Sequence, residues 1–349
     1  MTPNAGIPLV HLTDLYHPPQ DPDDLIDLAT LAGLAEYDLK GVILDVTRKF
    51  LLAAPEGFDS KRDPGFIPVT QLGYLLGRSI PVGVGPIDPL TNPKDDASDR
   101  NVKEQGGIRL LLDILEGSSR PVLVSVVGSA RVLTAAFNRR PHLVKEKVLA
   151  VLLNASSSAG PKREWNVALD PYAYIGLWRS GLPIRWYPCA TESGAFNPDH
   201  EHGTFWKTGH KDILGSVLPS MRSWFAFALE KKSRADFVAA IGEEVDATHW
   251  DRILGEDRNM WSTASLVMGA GRCLAKTLLG WRFVPSADAT GDVWKWQMDQ
   301  IEASVNDQAE VQWRLATGET GVSIFRRRED SGFSIAMAQA LGALLGELR

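Results

Sequence analysis

Ile7-Pro-Leu-Val-His-Leu-Thr-Asp14-Leu-Tyr16-His17-Pro-Pro-Gln-Asp21-Pro-Asp23-Asp24-Leu25-Ile-Asp-Leu28 carries three signals in order. Residues 7–12 are an apolar run of strand length. A loop of Pro, Gln and Asp follows. From Asp23 onward Leu25, Leu28, Ala29 and Ala32 recur at helical spacing, which predicts a helix over 23–34. A strand running through an acidic loop into a helix is the opening half of a βαβ unit.

The same alternation continues outward. Short apolar runs at 41–46 (GVILDV), 81–85 (PVGVG), 122–127 (VLVSVV), 148–153 (VLAVLL) and 184–188 predict strands. Helical patterns at 107–115, 131–137 and 172–180 lie between them. Such spacing implies an α/β fold built on an open, largely parallel (mixed) sheet with helices on both faces. The second half reads differently: helices over 213–229, 234–241 and 260–279, a β segment at 310–315 and 321–326, and a closing helix over 334–348. The turn-rich stretch 88–99 reads as a loop. No repeat or linker interrupts the chain, so one domain over 1–349 is expected.

Composition narrows the function. The 349 residues hold 43 acidic and 37 basic side chains, a net charge of −6, with no long Lys/Arg block. Nucleic acid is therefore not an expected partner. No run reaches the roughly 18 apolar residues of a membrane span, and the first residues lack the pattern of a secretory signal. Two distant cysteines, Cys189 and Cys273, make neither a disulfide framework nor a zinc ribbon. A cytoplasmic protein is the expectation.

The chemistry concentrates after the first strand. Asp14, Asp21, Asp23 and Asp24 fall within eleven residues, where a parallel sheet presents ligands. Calcium takes six to eight oxygens, carboxylates among them, so this loop could cage it. The same acids would also serve to cap the following helix. The spacing is not that of an EF-hand, and no Walker A, GxSxG or HExxH sequence is present. Gly269-Ala-Gly271 follows a helix-like run rather than a strand, so it is not read as a dinucleotide fingerprint.

Residues 7–14, followed by Asp21-Pro-Asp23-Asp24-Leu-Ile-Asp-Leu, resemble the N-terminal signature of inosine–uridine-type nucleoside hydrolases. Arg163-Glu164-Trp165-Asn166-Val-Ala-Leu-Asp170-Pro171-Tyr-Ala173 is similar to that family's Glu-aromatic-Asn…Asp-Pro-x-Ala motif. Residues 122–137 with Arg139-Arg-Pro-His-Leu-Val, residues 181–186 and residues 312–326 resemble further family segments. The matches are collinear over most of the chain, with residues 190–258 matching poorly. The resemblance implies a Rossmann-like nucleoside hydrolase fold with a cleft for one calcium ion and a ribosyl group. It implies a metal-dependent hydrolase cleaving the N-glycosidic bond of a ribonucleoside or related N-riboside. Asp14 and Asp21 would be catalytic, and Asp23, Glu164 and Asn166 would bind the sugar. Asp14, Asp24 and Asn259 would hold the metal. The partner would be a small nucleoside or N-riboside, and a homo-oligomer is compatible with the resemblance.

Two positions depart from the pattern. Tyr16 occupies the second acid of the family's Asp-x-Asp, with His17-Pro-Pro-Gln inserted before Asp21. The late helix, expected to open at Arg258-Asn259-Met260-Trp261-Ser262, lacks the family's His-Asp pair. These departures keep a catalytically silent binding or scaffold protein of the same fold in view. His200 and His202, next to Asp199 and ahead of His210, could bind zinc or supply a proton donor. Trp186 and Trp206 read as core before they read as stacking partners.

Overall fold

The structure, a computed structural model, describes residues 6–52, 62–159, 164–197, 200–328 and 332–348. Arg163 and Asp199, named above, lie outside these residues. The strands are β1 (Ile7–Thr13), β2 (Tyr37–Leu44), β3 (Val82–Val84), β4 (Val122–Val126), β5 (Val148–Asn154), β6 (Ile184–Tyr187), β7 (Trp206–Gly209), β8 (Asp257–Met260), β9 (Arg272–Thr277), β10 (Gly280–Pro285), β11 (Trp296–Val305), β12 (Val311–Leu315) and β13 (Val322–Arg327). Nine of them form one sheet in the order β12-β11-β13-β6-β5-β4-β1-β2-β3. The run from β13 to β3 is parallel, and β11 and β12 close one edge antiparallel.

The pleat explains why the central strands read as unbroken apolar runs. Leu9, Leu123 and Leu152 enter one core cluster, while Val10, Val124 and Val151 enter the other. Alternate side chains of β1, β4 and β5 thus feed two cores, one on each face, and helices cover both. The first helix, α1 (Asp23–Gly33), packs against Phe66–Leu75, Thr263–Gly269 and Phe333–Gly346. From β1 the chain goes to β2 and β3 on one side, then returns to β4 on the other. This reversal opens a crevice at the carboxyl ends of β1 and β4, where such sheets bind ligands.

The second half corrects several sequence expectations. Residues 260–279 are not one helix: only Thr263–Gly269 is helical, and β9 and β10 then pair as an antiparallel hairpin. Gly271, at φ +75°, ends the helix. The expected helix 213–229 is two, His210–Leu214 and Pro219–Leu229, because Pro219 starts a new first turn. Residues 234–241 hold only the 3₁₀ turn Ala239–Gly242. The strand β11 was not expected, because its polar, partly exposed residues hide a strand period. Among the described residues no helix is long and apolar enough to cross a membrane.

Candidate active site

A cleft of about 350 Å³ opens at the crevice between β1 and β4. Asp14, Asp21, Asp23 and Asp24 line it from the loop after β1 and the start of α1. Val127 follows β4, and Asn154 ends β5. Glu164 and Asn166 enter from the segment beyond β5, and Trp165, Phe196 and Trp261 form an aromatic rim. Glu164 and Asn166 therefore share one cleft with Asp24, across 140 residues of chain.

Local hydrogen bonds hold these groups. Thr13 Oγ1 donates to Asp24 Oδ1 at 2.8 Å, tying α1 to the end of β1. Pro22 at the N-cap of α1 offers no side-chain bond, but Asp21 Oδ1 accepts from Asp23 N at 3.5 Å and Asp23 Oδ1 from Asp24 N at 3.0 Å, so two of the acids also serve the first turn. Glu164 accepts from Ser156 N at 2.7 Å and from Asn166 N at 3.0 Å, capping the short helix Trp165–Leu169. Asp170 caps the next helix through Ala173 N, with Pro171 at its first position. Asn166 Nδ2 donates to Asn154 O at 2.9 Å. Phe196 lies 5.7 Å from Trp261, whose Nε1 donates to Ala195 O.

Packing the acids together raises their pKa. Burial, then repulsion from Asp45 and Asp21, pushes Asp14 up to about 8. Burial raises Asp23 and Asp24 well above the usual carboxyl range, with repulsion from neighbouring aspartates adding to it. Glu164 is raised by burial, against the pull of its backbone N–H bonds.

Below the cleft lies a layer that sequence reading missed. Asp45, following β2, accepts from Ser129 N, and its Oδ1, which has no hydrogen bond, lies 4.0 Å from the Arg131 guanidinium. A Cβ on Gly128 would come within 2.7 Å of Asp45 Oδ2, so the turn after β4 can approach only because it is glycine. Arg131, fully buried, donates to Asp170 Oδ2 at 2.8 Å and to the carbonyls of Val46 and Pro86. Asp27, one turn into α1, is also fully buried and pushed up to about 7 by burial, while Ser262 donates to it. Only Asp45 and Asp27 carried a faint signal, each being an acid inside an apolar run.

Asn259 is the predicted metal ligand that the fold does not bring to the others. It sits in β8 opposite Lys207 and is not among the cleft residues; Trp261 and Ser262 are. The helix opens at Thr263 because residues 257–260 extend to pair with β7. The loop histidines are elsewhere too. His200 meets Glu192, His202 meets Phe325 O, and His210 meets Ile253 O. Trp186 and Trp206 are fully buried, as core residues are. Tyr16 turns its hydroxyl inward to accept from Thr47 N at 2.7 Å.

The acids are hard oxygen donors of the kind calcium takes, and a divalent ion would relieve their repulsion. Among the described residues no three His, Cys, Asp or Glu side chains are already gathered as a metal cage. The donor set fits a hard cation in kind.

The whole chain superposes on solved structures of one fold class. It covers 97% of its length and 99% of a purine-preferring ribonucleoside hydrolase from Gardnerella vaginalis, with 13% identity and a TM-score of 0.53. It is similar to the effector protein XOO4466 at 13% identity and a TM-score of 0.51. It matches the type III effector XopQ, solved with adenosine diphosphate ribose, at the same identity and score; in both cases 99% of this chain and 94% of the other are covered. No sequence family and no curated protein matches the chain. The chain thus has the nucleoside hydrolase fold, as the motifs around Asp14 and Glu164 implied.

Proposed function

We propose that this protein is a divergent hydrolase of N-ribosides. The observation that carries the reading is the convergence of Asp14, Asp21, Asp23 and Asp24 with Glu164 and Asn166 on one cleft at the sheet's switch point. Breaking an N-ribosidic bond passes through an oxocarbenium-like state, which a ring of carboxylates stabilises. Asp14 or Asp21 takes the proton of the attacking water. Asp14, at the end of β1 and lining the cleft, is placed for this. Asp23, Glu164 and Asn166 orient the ribose hydroxyls. Asp14 and Asp24 would hold one hard divalent cation, calcium being the first to try. Such an ion, when bound, makes its water a stronger acid.

A second reading, a silent binding protein of this fold, is favoured by Glu164, both of whose oxygens already serve backbone N–H groups. One assay separates the two. Purified protein is incubated with a panel of ribosides, with calcium or after chelation, and free base and ribose are measured. Release that is abolished in Asp14→Asn supports the hydrolase. Saturable riboside binding without release supports the silent protein, and failure to bind any riboside overturns both.

A further inference from the structure

We propose that the cleft prefers N-ribosides whose aromatic aglycone is positively charged, a pyridinium or an N-alkylated purinium, over neutral nucleosides and over anything phosphorylated. This rests on the riboside reading above and specifies its substrate class.

Charge is the first reason. Four aspartates and Glu164 line the cleft, and among the described residues that line it none is Lys, Arg or His. One divalent cation would offset two of the five carboxyl groups, leaving three beside the ligand. Among the described lining residues a phosphate would meet no cationic side chain, whereas a cation favours the ionised form of each remaining acid and gains from it.

The second reason is the direction of the hydrogen bonds. Asn154 Nδ2 points to Val126 O and Leu152 O, Asn166 Nδ2 to Asn154 O, and Trp261 Nε1 to Ala195 O. Ser262 Oγ is turned to Asp27. These four groups direct donors into the protein, while the Gln20 amide also lines the cleft. Asn154, 1% exposed, keeps its Oδ1 without a partner. A buried acceptor of this kind calls for a ligand that donates or is cationic.

The third reason is the rim. Trp165 and Phe196 are 43% and 65% exposed at the mouth, beside Trp261. Aromatic faces attract a delocalised cation more than a neutral ring of the same shape.

The reaction itself then needs no acid at the leaving group. As the C1′–N bond breaks, its electron pair returns to the ring nitrogen and the cationic aglycone departs as a neutral base. The water oxygen bonds to C1′, and its proton passes to a cleft carboxylate and on to solvent. A neutral purine must be protonated as it leaves, and lack of that donor costs a factor of about 10²–10⁴. His200, His202 and His210, the donors one would look for, are bonded away from the cleft.

The test compares nicotinamide riboside, its neutral dihydro form, inosine and nicotinamide mononucleotide on the wild-type protein at equal calcium. Binding is read by tryptophan fluorescence and turnover by chromatography. The expectation is that nicotinamide riboside binds at least tenfold tighter than the dihydro form, with an advantage that shrinks as salt rises. It should also be cleaved at least tenfold faster than inosine in kcat/KM, and its 5′-phosphate should bind at least tenfold more weakly. Equal binding of the charged and neutral pair, or tighter binding of the phosphate, overturns the charge preference while leaving the riboside reading intact. Failure of all four to bind overturns the riboside reading itself.

Discussion

Ser262 Oγ donates to Asp27 Oδ2 across 235 positions of sequence, locking α1 to the start of the helix Thr263–Gly269. Asp27 is fully buried and its other oxygen has no partner, so Ser262 is the hydroxyl that keeps this carboxyl solvated. Ser262→Ala should therefore lower stability by about 1–3 kcal/mol, the cost of stranding a buried polar group. Urea unfolding at pH 7 measures it. A loss under ~0.5 kcal/mol would mean the contact is not holding the helices together.

The raised carboxyls set a pH dependence with a definite sign. Asp14 at about 8 and Asp27 at about 7 lie above the unfolded value of about 3.9. The native state then holds more protons than the unfolded chain between pH ~4 and ~8. The stabilisation is complete below pH ~4 and is lost as pH rises through the folded values. The chelated protein should become less stable from pH 5 to 8, by at most about 1.4 kcal/mol per pH unit for each group. Asp14→Asn should flatten the slope. A metal-free melting temperature that rises over this range would contradict the assignment.

Asp24 takes one hydrogen bond from Thr13 and stands among like charges, an arrangement that a cation would stabilise. Asp24→Asn should weaken calcium binding at least tenfold, about 1.4 kcal/mol. The same substitution should raise the melting temperature of the chelated protein, because it removes one of the repelling groups. Calorimetry that finds no calcium binding to the wild type at millimolar levels would sink the metal assignment.

Arg131 and Asp170 form an ion pair with neither side chain exposed. Removing one partner strands the other, at a cost of about 3–5 kcal/mol. Arg131→Met and Asp170→Asn should each lose several kcal/mol in urea unfolding. The double variant should cost less than the two single losses added together. Additive losses would show that the pair does not act as a unit.

Much of the cleft was legible in the chain. The strand ending at Asp14, the acids opening α1 and the Glu164–Asp170-Pro171 segment are each local, and period, turn chemistry and capping are local properties. The partners of these groups were not. Asn154 ends an ordinary apolar strand, and its place in the cleft wall depends on where Asn166 docks. Asp27 reads as a polar position on an amphipathic helix until Phe333–Gly346 and Thr263–Gly269 bury it. Asn259 was placed at the opening of a helix because the family resemblance puts a late helix there. Pairing with Trp206–Gly209, about fifty residues earlier, drew it into a strand instead.

By itself, then, the sequence determined the parallel α/β core and the acidic loop at its mouth. Buried strands are continuously apolar, and a cluster of four acids marks where such a strand gives way to a loop. Only the tertiary structure decided which acids face one cleft, that Ser262 rather than Asn259 stands opposite α1, and that the histidines turn away. These depend on contacts between distant segments, whose free energy no local pattern encodes.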